Sequence, residues 1–322
     1  MEIRYPYHLT YVTKSPIWGG TRLSERFGIR SDAPTVGEAW MLTVRAAENS
    51  SVTNGSLAGR ELGKIFSEYG NALIGNGDYS AGFPLLIKLI DATDRLSVQV
   101  HPDDEYAKRV ENDRGKTEMW YIVDAEPGAE IIYGLKDGVG NKEFREQVEK
   151  GNYEAVMRHQ PVHAGETYFI PSGMLHAIGK GILIAEIQQN CDLTYRVYDY
   201  GRLGKDGKPR ELHVGKAMDV TRPFTEEEIR SIRFEAGSAP DKELLAACRY
   251  FRVRYCDVTG ERDFSVGDNS FVSLLCVGGN GEIRFGGESY PVHTGDSYFL
   301  PAGMGNCTLR GNGLSVLLSS LS

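Results

Sequence analysis

An internal repeat limits the fold of this chain more than any other feature of its sequence. The segment VHAGETYFIPSGMLHAI at residues 162–178 returns as VHTGDSYFLPAGMGNCT at residues 292–308. Val, His, Gly, Tyr, Phe, Pro, Gly and Met occupy matching positions in the two copies. A short apolar run between turns that contain Gly and Pro is typical of a strand. The repeat therefore predicts two copies of one small β barrel.

The remainder of the chain has the same strand-like pattern. Short apolar runs bounded by Gly, Pro, Asn and Asp recur along its length, and 38 glycines provide for many tight turns. We therefore predict a mainly β protein made of two barrels of the jelly-roll type, with a few added α-helices. Helical periodicity and candidate caps place those helices in three segments: 57–75, 141–159 and 241–251.

The repeat also predicts two domains. We place the boundary in the segment EAGSAPD at residues 235–241, whose Gly, Ala and Pro are typical of a linker. Residues 1–238 would form the first barrel with its helical insertions, and residues 239–322 would form a second, degenerate barrel. Residues 201–211, GRLGKDGKPRE, read as an exposed loop.

Composition excludes several classes of partner. The net charge is −8, from 36 Lys and Arg against 44 Asp and Glu, so a nucleic acid or an anionic membrane surface is not an expected partner. Apolar runs are too short for a membrane span, and the N-terminus does not resemble a secretory signal. The five cysteines show no CxxC pair, which suits a reducing compartment. We predict a cytoplasmic protein and leave monomer and homodimer as alternatives.

The two copies of the repeat differ at one position that bears on function. His176 of the first copy is replaced by Asn306 in the second. In the first copy, Gly165, Pro171, Gly173 and His176 fit the spacing G-x5-P-x-G-x2-H, which resembles the second sequence motif of the cupin superfamily of metal-holding barrels. Two turns followed by a short strand would direct His176 into the barrel.

Further candidate ligands lie on two upstream strands. Gln99 and His101 are two residues apart and share one face of a strand, as do Lys116 and Glu118. With His176 they provide two imidazoles, a carboxylate and an amide oxygen, a set that suits Zn²⁺, Fe²⁺, Mn²⁺ or Ni²⁺. Gln99 is the weakest candidate because glutamine is an uncommon zinc ligand. Glu118 has no acidic counterpart in the second copy.

Taken in order, five further segments resemble the type I mannose-6-phosphate isomerases, or phosphomannose isomerases, especially their short bacterial form. These segments are PIWGG, PLLIKLIDA, LSVQVHPDDEYA, GKTEMWYI and AEIQQNCDLTYRVYD. The resemblance implies an enzyme that interconverts mannose 6-phosphate and fructose 6-phosphate. It implies that zinc is bound by Gln99, His101, Glu118 and His176, and that the substrate site is lined by Trp18, Ser97, Lys116, Glu186 and Arg196.

Two departures from the family pattern limit what the resemblance implies. Ile17 precedes Trp18, where the family often has Asp. The sequence VYDYGR follows Arg196, where longer members have Gly-Leu-Thr-Pro-Lys, so the phosphate contacts of that loop stay open. Arg202 and Lys205 are alternative contacts, although a loop of this composition is more often merely solvated.

Isomerisation through an enediol needs a base near C1 and C2 and electrophilic help for the oxygens. A metal ion would supply the electrophile. His101, Lys116 and Glu186 are the candidate bases, and the sequence does not decide among them. Arg196 would bind the phosphate or steady the enediolate, and Glu186 would orient a hydroxyl or neutralise Arg196 or Lys116.

Three alternatives to this function remain at the level of sequence. His101, Glu118 and His176 also form a two-His, one-carboxylate set of the kind that non-haem iron oxygenases use. A phosphoglucose isomerase of the cupin type would use similar residues, and a non-catalytic double cupin could bind a sugar phosphate. The cations Lys116 and Arg196 suit a phosphorylated sugar better than a site reserved for O₂.

Overall fold

Antiparallel β-sheets form most of the secondary structure. In the computed structural model, which describes residues 3–76, 79, 82–204, 206–235 and 242–322, strands account for 42% and helices for 18%. These proportions confirm the predicted mainly β class with a few helices. No helix among the described residues is long and apolar enough to span a membrane.

The described residues contain seven short α-helices. They are α1 (Arg22–Phe27), α2 (Leu62–Tyr69), α3 (Asn71–Ile74), α4 (Asp104–Val110), α5 (Asn141–Glu149), α6 (Val214–Val220) and α7 (Glu226–Arg233). Single 3₁₀ turns occupy Gly55–Leu57 and Tyr153–Ala155. Helices α2 and α3 confirm the first predicted helical segment, and α5 confirms the first half of the second.

The third helical prediction, for residues 241–251, is wrong. Asp241 lies outside the described residues, and Leu244–Ala247 form a strand that pairs with Arg252–Arg254. The run LLAAC has good intrinsic helix propensity, but pairing with a long neighbouring strand overrides that weak preference. The second segment also changes type, because a strand begins at Met157.

The strands fall into two groups along the chain. The first group comprises β1 (Tyr7–His8), β2 (Val12–Lys14), β3 (Glu38–Leu42), β4 (Val44–Arg45), β5 (Glu48–Asn49), β6 (Leu85–Ala92), β7 (Val98–Val100), β8 (Glu118–Ala125), β9 (Glu130–Leu135), β10 (Met157–Pro161), β11 (Thr167–Ile170), β12 (His176–Ala177), β13 (Ile182–Gln189) and β14 (Tyr195–Tyr198). The second comprises β15 (Leu244–Ala247), β16 (Arg252–Val266), β17 (Val272–Gly278), β18 (Asn280–Phe285), β19 (Glu288–His293), β20 (Ser297–Leu300) and β21 (Gly305–Ser320).

Two sheets form the first barrel. One has the strand order β10-β9-β12-β7-β14, and the other has the order β11-β8-β13-β6-β3-β2. The central strands β6 and β13 are buried along their whole length, which explains why their sequences are nearly continuous apolar runs. Any polar side chain on these two strands must therefore find a partner inside the protein.

A third, eight-stranded sheet forms the second barrel. Its order is β1-β20-β17-β21-β16-β15, with β18 and β19 attached through β21. Strand β1 joins it through the pairs Tyr7↔Phe299 and His8↔Tyr298, so the N-terminal strand belongs to the sheet that residues 244–320 otherwise form. The predicted boundary at 238/239 lies outside the described residues and stays a prediction.

The sequence repeat forms the same turn twice. The backbone N–H of His163 donates to the Glu166 carboxylate at 2.8 Å, and that of His293 donates to Asp296 at 2.7 Å. Strands β11 and β20 follow these turns. Apolar side chains and the thiols of Cys256, Cys276 and Cys307 fill the interior of the second barrel.

An aromatic cluster joins the two halves of the chain. Phe83, which precedes β6, lies 5.6 Å from Phe271 and 6.2 Å from Phe299, measured between ring centroids. Phe271 and Phe299 stack at 4.8 Å. These rings belong to one hydrophobic core that includes residues of both barrels. The halves are therefore expected to unfold together.

Replacing Phe271 with Ala tests this shared core. The side chain is fully buried, so its loss should lower the free energy of unfolding by about 3–5 kcal/mol. We expect one cooperative thermal transition at a lower temperature, measured by calorimetry. Phe264→Ala is the matched control. Because Phe264 is only partly buried, its loss should lower the free energy of unfolding much less. Two separate transitions, with only one shifted, would contradict a shared core.

Candidate active site

Three predicted metal ligands converge in the interior of the first barrel. One nitrogen of His101, one carboxylate oxygen of Glu118 and one nitrogen of His176 all lie within 4.8 Å of one another, and all three residues are buried. His176 lies on β12 and His101 directly follows the neighbouring strand β7, whereas Glu118 begins β8 of the other sheet. Within the described part of the chain, this is the one group of three such residues.

Turn geometry brings the two histidines together. Gly173 has φ +87°, and a Cβ built on it would lie 2.9 Å from the carbonyl oxygen of Val220, so this position favours glycine. The backbone N–H of Gly173 donates to the carbonyl of His101 at 2.8 Å. The turn that precedes β12 is therefore tied to the strand end that carries His101.

Each imidazole is held in the tautomer that a metal ligand needs. Nδ1 of His101 lies 2.8 Å from the carbonyl of Leu193, and Nδ1 of His176 lies 2.8 Å from that of Met174. A carbonyl only accepts, so both Nδ1 atoms carry hydrogen and both Nε2 atoms are unprotonated acceptors. Nε2 of His101 is buried without a hydrogen-bond partner.

Burial keeps both imidazoles neutral. Desolvation is the main reason that the pKa of His176 falls to about 4 and that the pKa of His101 falls well below its ordinary value. The Lys116 ammonium adds to this effect at both rings. Two neutral imidazoles with unprotonated Nε2 atoms are the form in which histidine binds a divalent cation.

Glu118 lies between the two histidines. Its Oε2 is 3.5 Å from Nε2 of His101 and 3.1 Å from Nζ of Lys116, and its Oε1 is 3.5 Å from Nε2 of His176. Burial raises the pKa of Glu118 to about 7, and the nearby charge of Glu186 adds to that rise. A buried carboxylate with this environment needs positive charge, which a divalent metal ion would supply.

Gln99 lies beside the same group. Its Nε2 is 3.4 Å from Nε2 of His176, and its Cα is paired with that of His176 across β7 and β12. Rotation of the side-chain amide by half a turn would direct Oε1 toward the same space. The donor set of two nitrogens, a carboxylate and an amide oxygen fits a divalent metal ion. The role of Gln99 as a fourth ligand stays a prediction.

A cavity of about 450 Å³ adjoins this group. It is lined by the five residues predicted for the substrate site and by Gln99; the five are Trp18, Ser97, Lys116, Glu186 and Arg196. They come from distant parts of the chain, and the barrel brings all of them to one space. Their individual roles stay predictions.

Sequence analysis missed Lys88, which also lines this cavity. Its Nζ lies 3.1 Å from Oε2 of Glu186 and 3.8 Å from Oε2 of Glu38, and 5.3 Å from the ring centre of Trp40. The signal was visible as the lone cation in the apolar run PLLIKLIDA, because a buried lysine requires an acidic partner.

Lys88 and Glu186 form a buried ion pair. Burial by itself would raise the pKa of Glu186, but Lys88 and then Lys116 outweigh it and lower the value to about 2. Burial likewise opposes the charge on Lys88, and the carboxylates of Glu186 and Glu38 raise its pKa instead. Glu186 is therefore ionised, and its closest cation is Lys88 rather than Arg196 or Lys116.

Arg196 on β14 and the cations of the loop after β14 have different positions. Arg196 donates from Nε to Ser97 Oγ at 3.3 Å and from Nη1 to the carbonyl of Glu211 at 2.9 Å. Arg202 pairs with Asp199 at 2.6 Å and does not line the cavity. Lys205 lies outside the described residues. Arg196 therefore lines the cavity, whereas Arg202 is held outside it by Asp199.

The fold and this site define the class of the protein: a double cupin with a candidate metal centre in its first barrel. The family profile described as phosphomannose isomerase type I, catalytic domain, matches residues 7–146. The profile described as mannose-6-phosphate isomerase, cupin domain, matches residues 241–319. These matches cover more than half of the chain.

Individual relatives agree with the profiles. The chain is 38% identical over 309 residues to the mannose-6-phosphate isomerase ManA of Bacillus subtilis, across 95% of this chain and 96% of the relative. It is 37% identical over 304 residues to a mannose-6-phosphate isomerase of Streptococcus mutans, across 92% of each chain. This chain belongs to the type I phosphomannose isomerase family.

Solved structures have the same fold. A mannose 6-phosphate isomerase from Bacillus subtilis superimposes with a TM-score of 0.85 at 35% identity, covering 98% of this chain and 99% of that one. The apo form of the enzyme from Salmonella typhimurium matches with a TM-score of 0.77 at 15% identity, covering 98% of this chain and 99% of that one, which supports the fold alone.

Replacing His176 with Gln tests the metal centre. We expect metal affinity to fall by more than the roughly 10- to 100-fold that follows loss of a supporting hydrogen bond to a ligand. The measurement is metal content after dialysis against a limiting metal buffer. His159→Gln is the control, because His159 lies on the barrel surface between Glu130 and Glu154. Equal metal content in both variants would contradict the assignment.

Proposed function

We propose that this protein is a mannose-6-phosphate isomerase that interconverts mannose 6-phosphate and fructose 6-phosphate with one Zn²⁺ per chain. The observation that carries the proposal is a single cavity in a member of the type I phosphomannose isomerase family. Arg196 lines this cavity together with Gln99 and Lys116, which lie directly beside the buried His-Glu-His group. A sugar phosphate has a polyol end suited to a metal and an anionic end suited to a guanidinium.

Gln99, His101, Glu118 and His176 would hold the zinc ion. When bound, the ion would polarise a hydroxyl or carbonyl oxygen of the sugar or order a water molecule. The chain itself keeps both imidazoles neutral and in the correct tautomer through the carbonyls of Leu193 and Met174. Mn²⁺, Fe²⁺ and Ni²⁺ have similar ligand preferences and are the alternatives.

Lys116 is the residue that fits the proton transfer best among the three candidates. With the metal bound, both nitrogens of His101 would be committed, Nε2 to the ion and Nδ1 to the carbonyl of Leu193. Glu186 is held ionised by Lys88, and its lowered pKa makes it a weak base. Lys116 lies in the same cavity, 3.1 Å from Glu118. A metal ion on Glu118 would compete with Lys116 for that carboxylate and leave Nζ of Lys116 available to the substrate.

The remaining cavity residues would orient the substrate. Arg196 is half-buried and would bind the anionic end, supported by its hydrogen bond to Ser97. Trp18 provides an apolar wall that excludes water from the enediol. Glu186, fixed by Lys88 and by a 3.2 Å hydrogen bond from Nε1 of Trp120, would accept a hydrogen bond from a sugar hydroxyl.

Other functions of the same site have weaker support. An iron oxygenase would not need Lys116, Lys88 and Arg196 around its open coordination position. A non-catalytic binding barrel would not need a metal group with a lysine next to it. A phosphoglucose isomerase would use a C2 epimer of the same substrate, and only family membership favours mannose 6-phosphate.

We further propose a cytoplasmic enzyme that acts as a monomer or homodimer. All five cysteines are free and buried, and burial raises the pKa of the Cys191 thiol to about 11. Such thiols are inert packing groups suited to a reducing compartment.

The first test is conversion of mannose 6-phosphate to fructose 6-phosphate by the zinc-loaded protein. We expect turnover that a chelator abolishes and that added Zn²⁺ restores, because the buried carboxylate and imidazoles act only with the ion in place. Glucose 6-phosphate under the same conditions measures specificity at C2. Absence of turnover with zinc, manganese, iron and nickel would refute the isomerase.

Lys116→Met tests the assignment of the base. Loss of a positioned acid–base group should lower kcat by about 10²- to 10⁴-fold with little change in metal content. Lys142→Met is the control, because the side chain of Lys142 is 93% exposed. If Lys116→Met keeps a nearly normal kcat, Lys116 is not the base, and Glu186 becomes the candidate for proton transfer.

A further inference from the structure

The loop after β14 returns to the cavity and lies against β14. Leu203 and Pro209 form an isolated antiparallel bridge within it. The backbone N–H of His213 donates to the carbonyl of Arg196 at 2.7 Å, and the N–H of Arg196 donates to Nδ1 of His213 at 3.3 Å. Residues 199–204 and 206–213 thus form a ribbon whose second arm borders the cavity, and sequence analysis assigned no role to that arm.

Arg210 on this ribbon is oriented by a buried carboxylate. Its Nε and Nη2 donate to Asp199 at 2.7 and 2.5 Å, which leaves Nη1 for another acceptor. Asp199 is 5% exposed, and it also accepts from Arg202. Arg210 lines the cavity and Arg202 does not. The ribbon therefore fixes one guanidinium with a free edge at the wall of the cavity.

His213 adds a second donor at the same place. Its Nδ1 accepts the backbone N–H of Arg196, so the hydrogen of the neutral ring is on Nε2. The nearest carboxylate to Nε2 is Glu211 at 3.9 Å, beyond hydrogen-bond distance. His213 also lines the cavity, so its N–H is available there.

Among the described Lys and Arg side chains that line the cavity, Arg196 differs from the others because it has no carboxylate at ion-pair distance. Lys14 pairs with Glu48, and Lys88 pairs with Glu186 and Glu38. Among the described residues, by contrast, no carboxylate pairs directly with the half-buried Arg196, whose charge is opposed by burial and then by Arg210. Two guanidinium groups beside one cavity favour an anion between them.

The position matches one end of a sugar phosphate. His176, Gln99 and Arg196 lie opposite one another on the neighbouring strands β12, β7 and β14. Adjacent strands are about 5 Å apart, so the cation group lies roughly 10 Å from the metal side. A six-carbon sugar with a terminal phosphate can extend between them.

We propose that Arg210 and His213 of the ribbon, together with Arg196, bind the phosphate group of the substrate, a role that rests on the proposed function. Because the sequence after Arg196 departs from the family pattern, it did not identify the phosphate contacts of this loop. Arg210 and His213 supply those contacts. Asp199 is a positioning residue that aims Arg210.

The test compares Arg210→Gln with Arg202→Gln. Both arginines pair with Asp199 and both lie on the ribbon, but only Arg210 lines the cavity. We expect Arg210→Gln to raise KM for mannose 6-phosphate about 10- to 100-fold, the usual effect of losing one charge-assisted hydrogen bond. Arg202→Gln should stay within about threefold of the unchanged protein. Arg210→Lys keeps the charge without the planar guanidinium group, and its KM should lie between those of Arg210→Gln and Arg202→Gln.

Binding of inorganic phosphate separates this inference from the proposed function. Calorimetric titration of the zinc-loaded protein with phosphate requires no turnover, and both Arg210→Gln and His213→Asn should weaken it while metal content and far-UV circular dichroism stay unchanged. If the unchanged protein turns over mannose 6-phosphate but Arg210→Gln keeps the normal KM and phosphate affinity, the inference is wrong. If phosphate binds through Arg210 but mannose 6-phosphate is not isomerised, the proposed function alone fails.

Discussion

The site depends on one buried carboxylate, that of Glu118. It reaches the interior from one sheet of the first barrel and meets two imidazoles from the other sheet. Desolvation makes its charge costly, as its raised pKa shows, and Lys116 is the one Lys or Arg side chain of the described residues that forms an ion pair with it. Because a divalent ion would remove that cost, the candidate ligand group would link closure of the barrel to metal binding.

A second buried ion pair, between Lys88 and Glu186, keeps the cations of the cavity apart. Lys88 neutralises Glu186, so Lys116 does not have to do so and stays close to Glu118. The cations of the cavity are thus separated by function. Lys14 and Lys88 are paired with carboxylates, Lys116 lies beside the candidate ligand group, and the guanidinium groups of Arg196 and Arg210 lie at the far end.

Much of this arrangement could be predicted from sequence. The spacing of Gly165, Pro171, Gly173 and His176 predicted a ligand at the end of two turns, because turn chemistry acts over a few residues. The alternation of Gln99 with His101 predicted a shared strand face for the same local reason. The family resemblance then connected these short segments, which no local pattern could do.

What sequence analysis missed depends on contacts between distant residues. Strand β15 has helix-forming residues, and only its pairing with β16 makes it extended. Strand β1 pairs with β20 nearly three hundred residues away. The positions of Lys88 and Arg210 depend on their ion pairs with Glu186 and Asp199, and no local sequence pattern indicates the pairing of Lys88 with Glu186.

The most direct test of the central claim, a metal centre confined to the first barrel, is anomalous diffraction at the zinc absorption edge from crystals of the zinc-loaded protein. The account predicts one strong peak per chain, about 2.0–2.2 Å from Nε2 of His101, Nε2 of His176 and a carboxylate oxygen of Glu118. A peak elsewhere, or none at these residues in protein that is active, would contradict it.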